Sequence, residues 1–261
     1  MPDRSSSPLT RLNGIFDRLL DPENGCPWDI KQTPASLKMN LLEETYELLA
    51  AIDGTDPDEI KDELGDCLFL LAFITRLYQQ QGLFNLEEIL ESAMDKIVHR
   101  HPHVFGDAEK LNEAEEVKEK WHQLKQKEEH RGTYLSSIPE MPALMMTHRL
   151  TERAGRVGFD WSGPSKVLET LQLEIAELQD ALEQDDQEEI SEELGDVLFT
   201  LVNLARHINL GAEDSLRKAN TRFRNRFEYI EKKLKEQGQS LEDASLSAMD
   251  EIWDEAKKKG F

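Results

Sequence analysis

The sequence predicts an all-α protein made of two tandem helical bundles. Three observations carry this expectation. Apolar residues recur every three to four positions over long stretches, turn formers are scarce, and the chain repeats itself. The 261 residues include only 14 glycines and 10 prolines, fewer than an average chain carries. No stretch alternates apolar and polar residues as a half-buried strand would.

The helices can be taken in chain order. After Pro34, residues Leu37, Leu41, Leu42, Leu48, Leu49 and Ile52 recur at helical spacing until Gly54 and Pro57 stop the pattern. A second helix is expected over Asp58–Gln80, with Leu64, Leu68, Leu71 and Ile74 on its apolar side. Leu86–His99 gives a third and Glu113–Glu129 a fourth. The second half follows with Ser165–Gln184, Gln187–Ile208, Ala212–Glu236 and Leu241–Lys259. Helices of this length around shared apolar seams make bundles of four-helix type.

The halves are related in detail. From Asp62 to Arg76, eight of fifteen residues recur 130 positions later. Lys96 and Arg100 find counterparts 122 positions on, in Lys218 and Arg222, because the loop after Tyr78 is longer in the first half. Trp121 with Lys125 matches Trp253 with Lys257. The expected organisation is a first domain at 1–125, a connection at 126–148 rich in Gly, Ser and Pro, and a second domain at 149–261.

Composition excludes several classes. Thirty-one Lys and Arg against 53 Asp and Glu give a formal charge of −22, which repels the phosphates of a nucleic acid. A single nucleotide remains possible, since a metal ion reverses the local sign. Cys26 and Cys67 are too few for a disulfide framework or a four-cysteine zinc site, and read as reduced thiols in the cytoplasm. The N-terminus lacks an apolar core of secretory type, and the longest apolar stretch, near Cys67–Ile74, is too short to cross a bilayer. Neither a P-loop nor a serine or cysteine hydrolase arrangement occurs.

Chemistry points to the acids. Carboxylates three apart on a helix share a face. Glu44 and Glu47 form one such pair and Glu63 and Asp66 another, with a turn between them that lets the pairs meet. The second half repeats the quartet as Glu174, Glu177, Glu193 and Asp196, each 130 positions on. Glu63 and Asp66 lie among Leu64, Cys67, Leu68 and Leu71. Acids in such a setting repel one another and lose hydration, and a hard divalent cation relieves both. Asp66 and Asp196 stand where a di-iron bundle would carry histidine, which favours Mg²⁺, or Mn²⁺ in its place. Gly65 and Gly195 sit between the acids, where a helix gains nothing from glycine, and predict close approach of a neighbouring helix or a ligand.

Glu44-x-x-Glu47 followed by Glu63-x-x-Asp66 resembles the signature of the all-α nucleoside triphosphate pyrophosphohydrolases. Cys26-Pro27-Trp28-Asp29-x-x-Gln32-Thr33, Arg100-His101-Pro102-His103-Val104-Phe105-Gly106-Asp107 and Val157-Gly158-Phe159-Asp160-Trp161 resemble the MazG family within that group. The resemblance covers nearly the whole chain. It implies a homodimer of tandem-domain subunits, Mg²⁺-dependent conversion of a nucleoside triphosphate to monophosphate and pyrophosphate, and the main activity in the second domain.

On this reading both quartets are metal ligands, and Glu174 or Glu177 is the general base that orients the attacking water. Lys218, Arg222 and Arg226 recur every four residues, line one helix face and are expected to hold the outer phosphates, as are Lys96 and Arg100 in the first half. Trp253 and Trp161, with Trp28 and Trp121 in the first half, are candidate surfaces for the base. Nothing reads a particular base edge, so broad base tolerance, deoxynucleotides included, is expected. Two other readings stay open: a non-catalytic helical interaction protein whose acids are surface decoration, and a phosphohydrolase releasing orthophosphate.

Overall fold

The computed structural model describes residues 7–108, 110–111, 113–114, 116–117, 120–121, 124 and 133–261. Among these residues the regular structure is helical, with no strand. The chain divides into two compact units at residues 128 and 129. The first holds α1 (Pro8–Leu19), a 3₁₀ turn (Asp29–Lys31), α2 (Lys38–Gly54), α3 (Pro57–Gln80), α4 (Leu86–Arg100) and the single turn α5 (Pro102–Phe105). The second holds α6 (Ala143–Arg156), α7 (Pro164–Gln184), α8 (Gln187–His207), α9 (Ala212–Glu236) and α10 (Leu246–Lys258).

Helix α1 has no counterpart in the sequence expectation, where its residues served only to test for a leader. Ser7 caps it by accepting from the Thr10 N–H, and its Phe16 is fully buried. Phe16 packs with Leu37, Leu70, Ala72, Phe73 and Leu77 to make the core of the first unit. Part of the stretch expected as a connection, 126–148, is helical. Helix α6 begins at Ala143, just after Pro142, and packs on α8 and α9. Residues 126–132 of that connection, and most of the helix expected over Glu113–Glu129, lie outside the described residues. The last helix starts at Leu246 rather than Leu241 because Ser245 caps it, accepting from the Ala248 N–H.

What positions the acids is the tight link between α2 and α3, repeated between α7 and α8. Each link has one residue in the left-handed region, Thr55 at φ 64° and Asp185 at φ 55°. Each is followed by an aspartate, Asp56 or Asp186, whose carboxylate accepts backbone N–H groups of the next helix. Glu47 stands eight residues before Thr55 and Glu63 eight after it, so antiparallel helices rising equally per residue bring them level. Glu44 and Asp66 are level by the same count. Glu177 with Glu193, and Glu174 with Asp196, keep these spacings about Asp185.

Candidate active site

Both hairpins gather their acids. In the first unit, oxygens of Glu44, Glu63 and Asp66 all lie within 4.8 Å of one another. In the second, oxygens of Glu174, Glu177 and Glu193 do so. The remaining member of each quartet, Glu47 or Asp196, is close enough to perturb the others. Burial, then Glu47 and Asp66, pushes the Glu63 carboxyl up from its ordinary range. Burial, then Glu177 and Asp196, does the same to Glu193. Glu44 and Glu174 are raised likewise, by burial first and then by the other acids of their quartets. The Cys67 thiol is pushed up too, by burial and then by Glu44, Glu63 and Asp66.

One oxygen in each cluster sharpens this picture. Glu63 Oε2 and Glu193 Oε2 are buried and meet no hydrogen-bond donor. A buried carboxylate oxygen without a partner loses its hydration uncompensated. Several hard oxygens converging within ligand distance of one another fit a divalent cation of the Mg²⁺ or Mn²⁺ kind, and offer nothing to a soft one.

The sequence matches the family described as the MazG nucleotide pyrophosphohydrolase domain twice, over residues 32–105 and 162–230. Each matched stretch contains one complete acidic quartet. The chain belongs to the MazG nucleotide pyrophosphohydrolase family. It is therefore a hydrolase acting on acid anhydrides. The chain is 40% identical over 259 residues to a nucleoside triphosphate pyrophosphohydrolase of Escherichia coli (strain K12), covering 96% of this chain and 97% of that one. A nucleoside triphosphate pyrophosphohydrolase/pyrophosphatase MazG of Thermotoga maritima is 39% identical over 249 residues, 94% of each chain. An uncharacterized Bacillus subtilis protein, YabN, is 40% identical over 254 residues, which span 96% of this chain and 52% of YabN.

Against this MazG framework the expected cations are less uniform than their spacing implied. Lys218 is exposed and ion-paired with Asp214 at 2.8 Å. Arg222 is exposed on α9. Arg226 turns the other way: its Nε donates to the Phe261 carbonyl at 2.8 Å, and its guanidinium lies 5.3 Å from the Trp253 ring centre. Trp253 also meets Phe223 at 5.3 Å, so much of its surface is taken. In the first unit Lys96 is exposed, and Arg100 stacks on Trp121 at 5.2 Å. Gly65 and Gly195 do not mark a close helix approach, because a Cβ on either would meet nothing within 4 Å.

A second cluster joins Asp160, known from its motif, to Asn203, Arg206 and His207, which the sequence did not single out. Asp160 Oδ1 accepts from Arg206 Nη2 at 2.5 Å and lies 2.9 Å from His207 Nε2. Arg206 also donates to Oδ1 of the fully buried Asn203, through Nε at 2.9 Å and Nη2 at 2.6 Å. Burial tends to raise the Asp160 carboxyl, but the bonds from Arg206 and His207 prevail and hold it below its ordinary range. A Cβ on Gly155 would come within 2.7 Å of Asp160 Oδ2, so glycine in α6 makes room for this carboxylate. The signal was present in the repeat. Leu70, Phe73 and Leu77 become Thr200, Asn203 and His207 at the 130-residue offset.

Proposed function

We propose that this protein hydrolyses nucleoside triphosphates, deoxynucleotides included and with broad base tolerance, to the monophosphate and pyrophosphate. The second unit is the principal site, and Mg²⁺, replaceable by Mn²⁺, is the cation. The single observation that carries this reading is the converging acid cluster, with its buried and unpartnered Glu193 oxygen, inside a sequence of this family.

Glu174, Glu177, Glu193 and Asp196 would hold the cation, as Glu44, Glu47, Glu63 and Asp66 would in the first unit. When bound, the ion offsets the charge of a polyphosphate and makes water a better nucleophile at neutral pH. Glu177 or Glu174 accepts the proton of the attacking water as its oxygen approaches the α-phosphorus. A P–O bond forms to that oxygen, the α–β anhydride bond breaks in line, and pyrophosphate leaves. Lys218 and Arg222, both on α9, which packs on α8, receive the outer phosphates. Arg226, already stacked on Trp253, braces that aromatic surface, and Lys96 and Arg100 have the corresponding places in the first unit.

The working form is a homodimer. Leu64, Leu68 and Leu71 form an uncovered stripe on α3, and Leu194, Leu198 and Leu201 repeat it on α8, with Leu68 at 65% and Leu198 at 47% exposure. Apolar stripes at this spacing suit helix packing against a second subunit. No described helix is long and apolar enough to cross a membrane, and a cytoplasmic location fits the two free cysteines.

Product analysis tests the reading. With Mg²⁺ and each nucleoside triphosphate in turn, monophosphate and pyrophosphate are expected, chelation stops turnover, and Mg²⁺ restores it. Diphosphate and orthophosphate would establish the orthophosphate-releasing reading instead. No turnover, with no metal-dependent change in melting temperature, would establish an interaction protein.

A further inference from the structure

The second unit contains a polar assembly that its acid quartet does not explain. Asn203 is fully buried, Asp160 joins it through Arg206, and three segments meet there: α6 at Gly155, the loop 157–163 and the end of α8. Buried polar networks cost desolvation, and an apolar core of the same shape does as well or better for stability. The first unit supplies that apolar alternative with Leu70, Phe73 and Leu77 at the matching positions. Stability alone therefore does not account for the polar version.

Its output is the placement of one side chain. The Trp161 backbone N–H donates to Asp160 Oδ1 at 2.9 Å, and the Trp161 indole N–H donates to Thr170 Oγ1 at 3.1 Å. Thr170 stands four residues before Glu174 and so shares its side of α7, one turn closer to the N-terminus. The indole is thus fixed beside the acid-bearing face of the helix. Trp253, the other aromatic candidate of this unit, already carries Arg226 and Phe223. In the first unit the matching arginine, Arg76, is instead bound to Asp17 of α1 and to Gln79, and Trp28 is 56% exposed.

We propose that Asp160, acting through Arg206 and His207, is a positioning residue that fixes Trp161 against α7 as the wall on which the substrate's nucleobase stacks. The wall belongs to the second unit alone. It serves any base, because every base offers a flat face. The inference rests on the pyrophosphohydrolase reading above and names its base subsite.

Steady-state kinetics of pyrophosphate release on the full-length protein test it, with inorganic tripolyphosphate as a competitor that has phosphates but no base. Stacking of one base on one aromatic ring contributes about 1–3 kcal/mol. Trp161→Ala should therefore raise KM for the nucleotide roughly five- to 150-fold, the loss falling on KM rather than kcat. Trp161→Phe should recover most of it. Tripolyphosphate inhibition should keep its strength in both variants. Asp160→Asn and Thr170→Val, which leave the indole in place but loosen its anchors, should raise KM by a smaller factor. An active Trp161→Ala protein with unchanged KM overturns the wall. So does equal weakening of nucleotide and tripolyphosphate, which would mark general damage to the site. Wild-type protein that releases no pyrophosphate overturns the underlying reading and this inference with it, a result distinguishable from both.

Discussion

Helices α3 and α8 carry the same acids 130 residues apart, yet what lies beyond those acids differs. On α3 the next two turns present Leu70, Phe73 and Leu77 to a core closed by Phe16 of α1. On α8 the same positions are Thr200, Asn203 and His207, and the core gives way to a carboxylate network anchored on Asp160. One helix is optimised for packing and the other accepts polar burial. Two copies of one acidic hairpin thus differ in what packs beyond the acids while the acids themselves are unchanged. On the proposed reading, the acids supply the same chemistry in both copies, and the residues beyond them set how the second copy holds its substrate.

The largest expected effect separates the copies by activity. Glu177→Ala or Asp196→Ala should reduce pyrophosphate release by about a hundredfold or more, the kinetic equivalent of a few kcal/mol of lost stabilisation. The fold should survive, as circular dichroism would record. Glu47→Ala and Asp66→Ala, at the matching positions, should leave most of the turnover in place. Equal losses from both sets would make the halves joint contributors to one activity. Full turnover in all four variants would remove the acids from the reaction altogether.

A second pair of variants compares the two helices by stability. Phe73→Asn removes a ring that packs with Phe16 at 5.5 Å between centroids and puts an amide into an apolar core. By loss of packing in that core it should cost about 3 kcal/mol or more, read from chemical denaturation. Asn203→Leu is expected to cost far less, about 1 kcal/mol. It forfeits the two bonds from Arg206 but also removes Asn203 Nδ2, a buried donor without an acceptor. Its effect should instead appear as a raised KM. If Asn203→Leu proves as damaging to stability as Phe73→Asn, the polar network is a core feature first, and the contrast drawn here between α3 and α8 weakens.

The hairpins were legible in the sequence because everything that builds them is local. A left-handed turn residue, an aspartate cap and three-residue spacings determine where Glu47 and Glu63 meet, and the second copy repeats each feature. Helix α1 was not legible on those terms, since it has no strong repeat partner and its contacts, Phe16 in the core and Asp17 with Arg76, reach residues far along the chain. The cations defeated spacing for another reason. Lys218, Arg222 and Arg226 do share a helix face, but long side chains choose partners from three dimensions. Arg226 found the Phe261 carbonyl, 35 residues away. The Asp160 network joins residues 46 and 47 apart, so the Gly158-Phe159-Asp160-Trp161 motif marked one end of it and only comparison of the two copies pointed toward the other.

The glycines between the acids give the finest comparison. A glycine inside a helix is less favourable than alanine by about 1 kcal/mol, and a Cβ at Gly65 or Gly195 has open space around it. If nothing else occupies that space, Gly65→Ala and Gly195→Ala should each stabilise the protein by up to about 1 kcal/mol, seen as a modest rise in melting temperature. Metal and nucleotide are expected to use that space in the second copy more than in the first. Gly195→Ala should then keep its stability gain in metal-free protein while losing part of its turnover, whereas Gly65→Ala keeps both. Loss of the gain in both variants, together with a shift toward monomer in sedimentation, would assign the space to the partner subunit, whose approach along the Leu64–Leu71 and Leu194–Leu201 stripes a methyl group would obstruct.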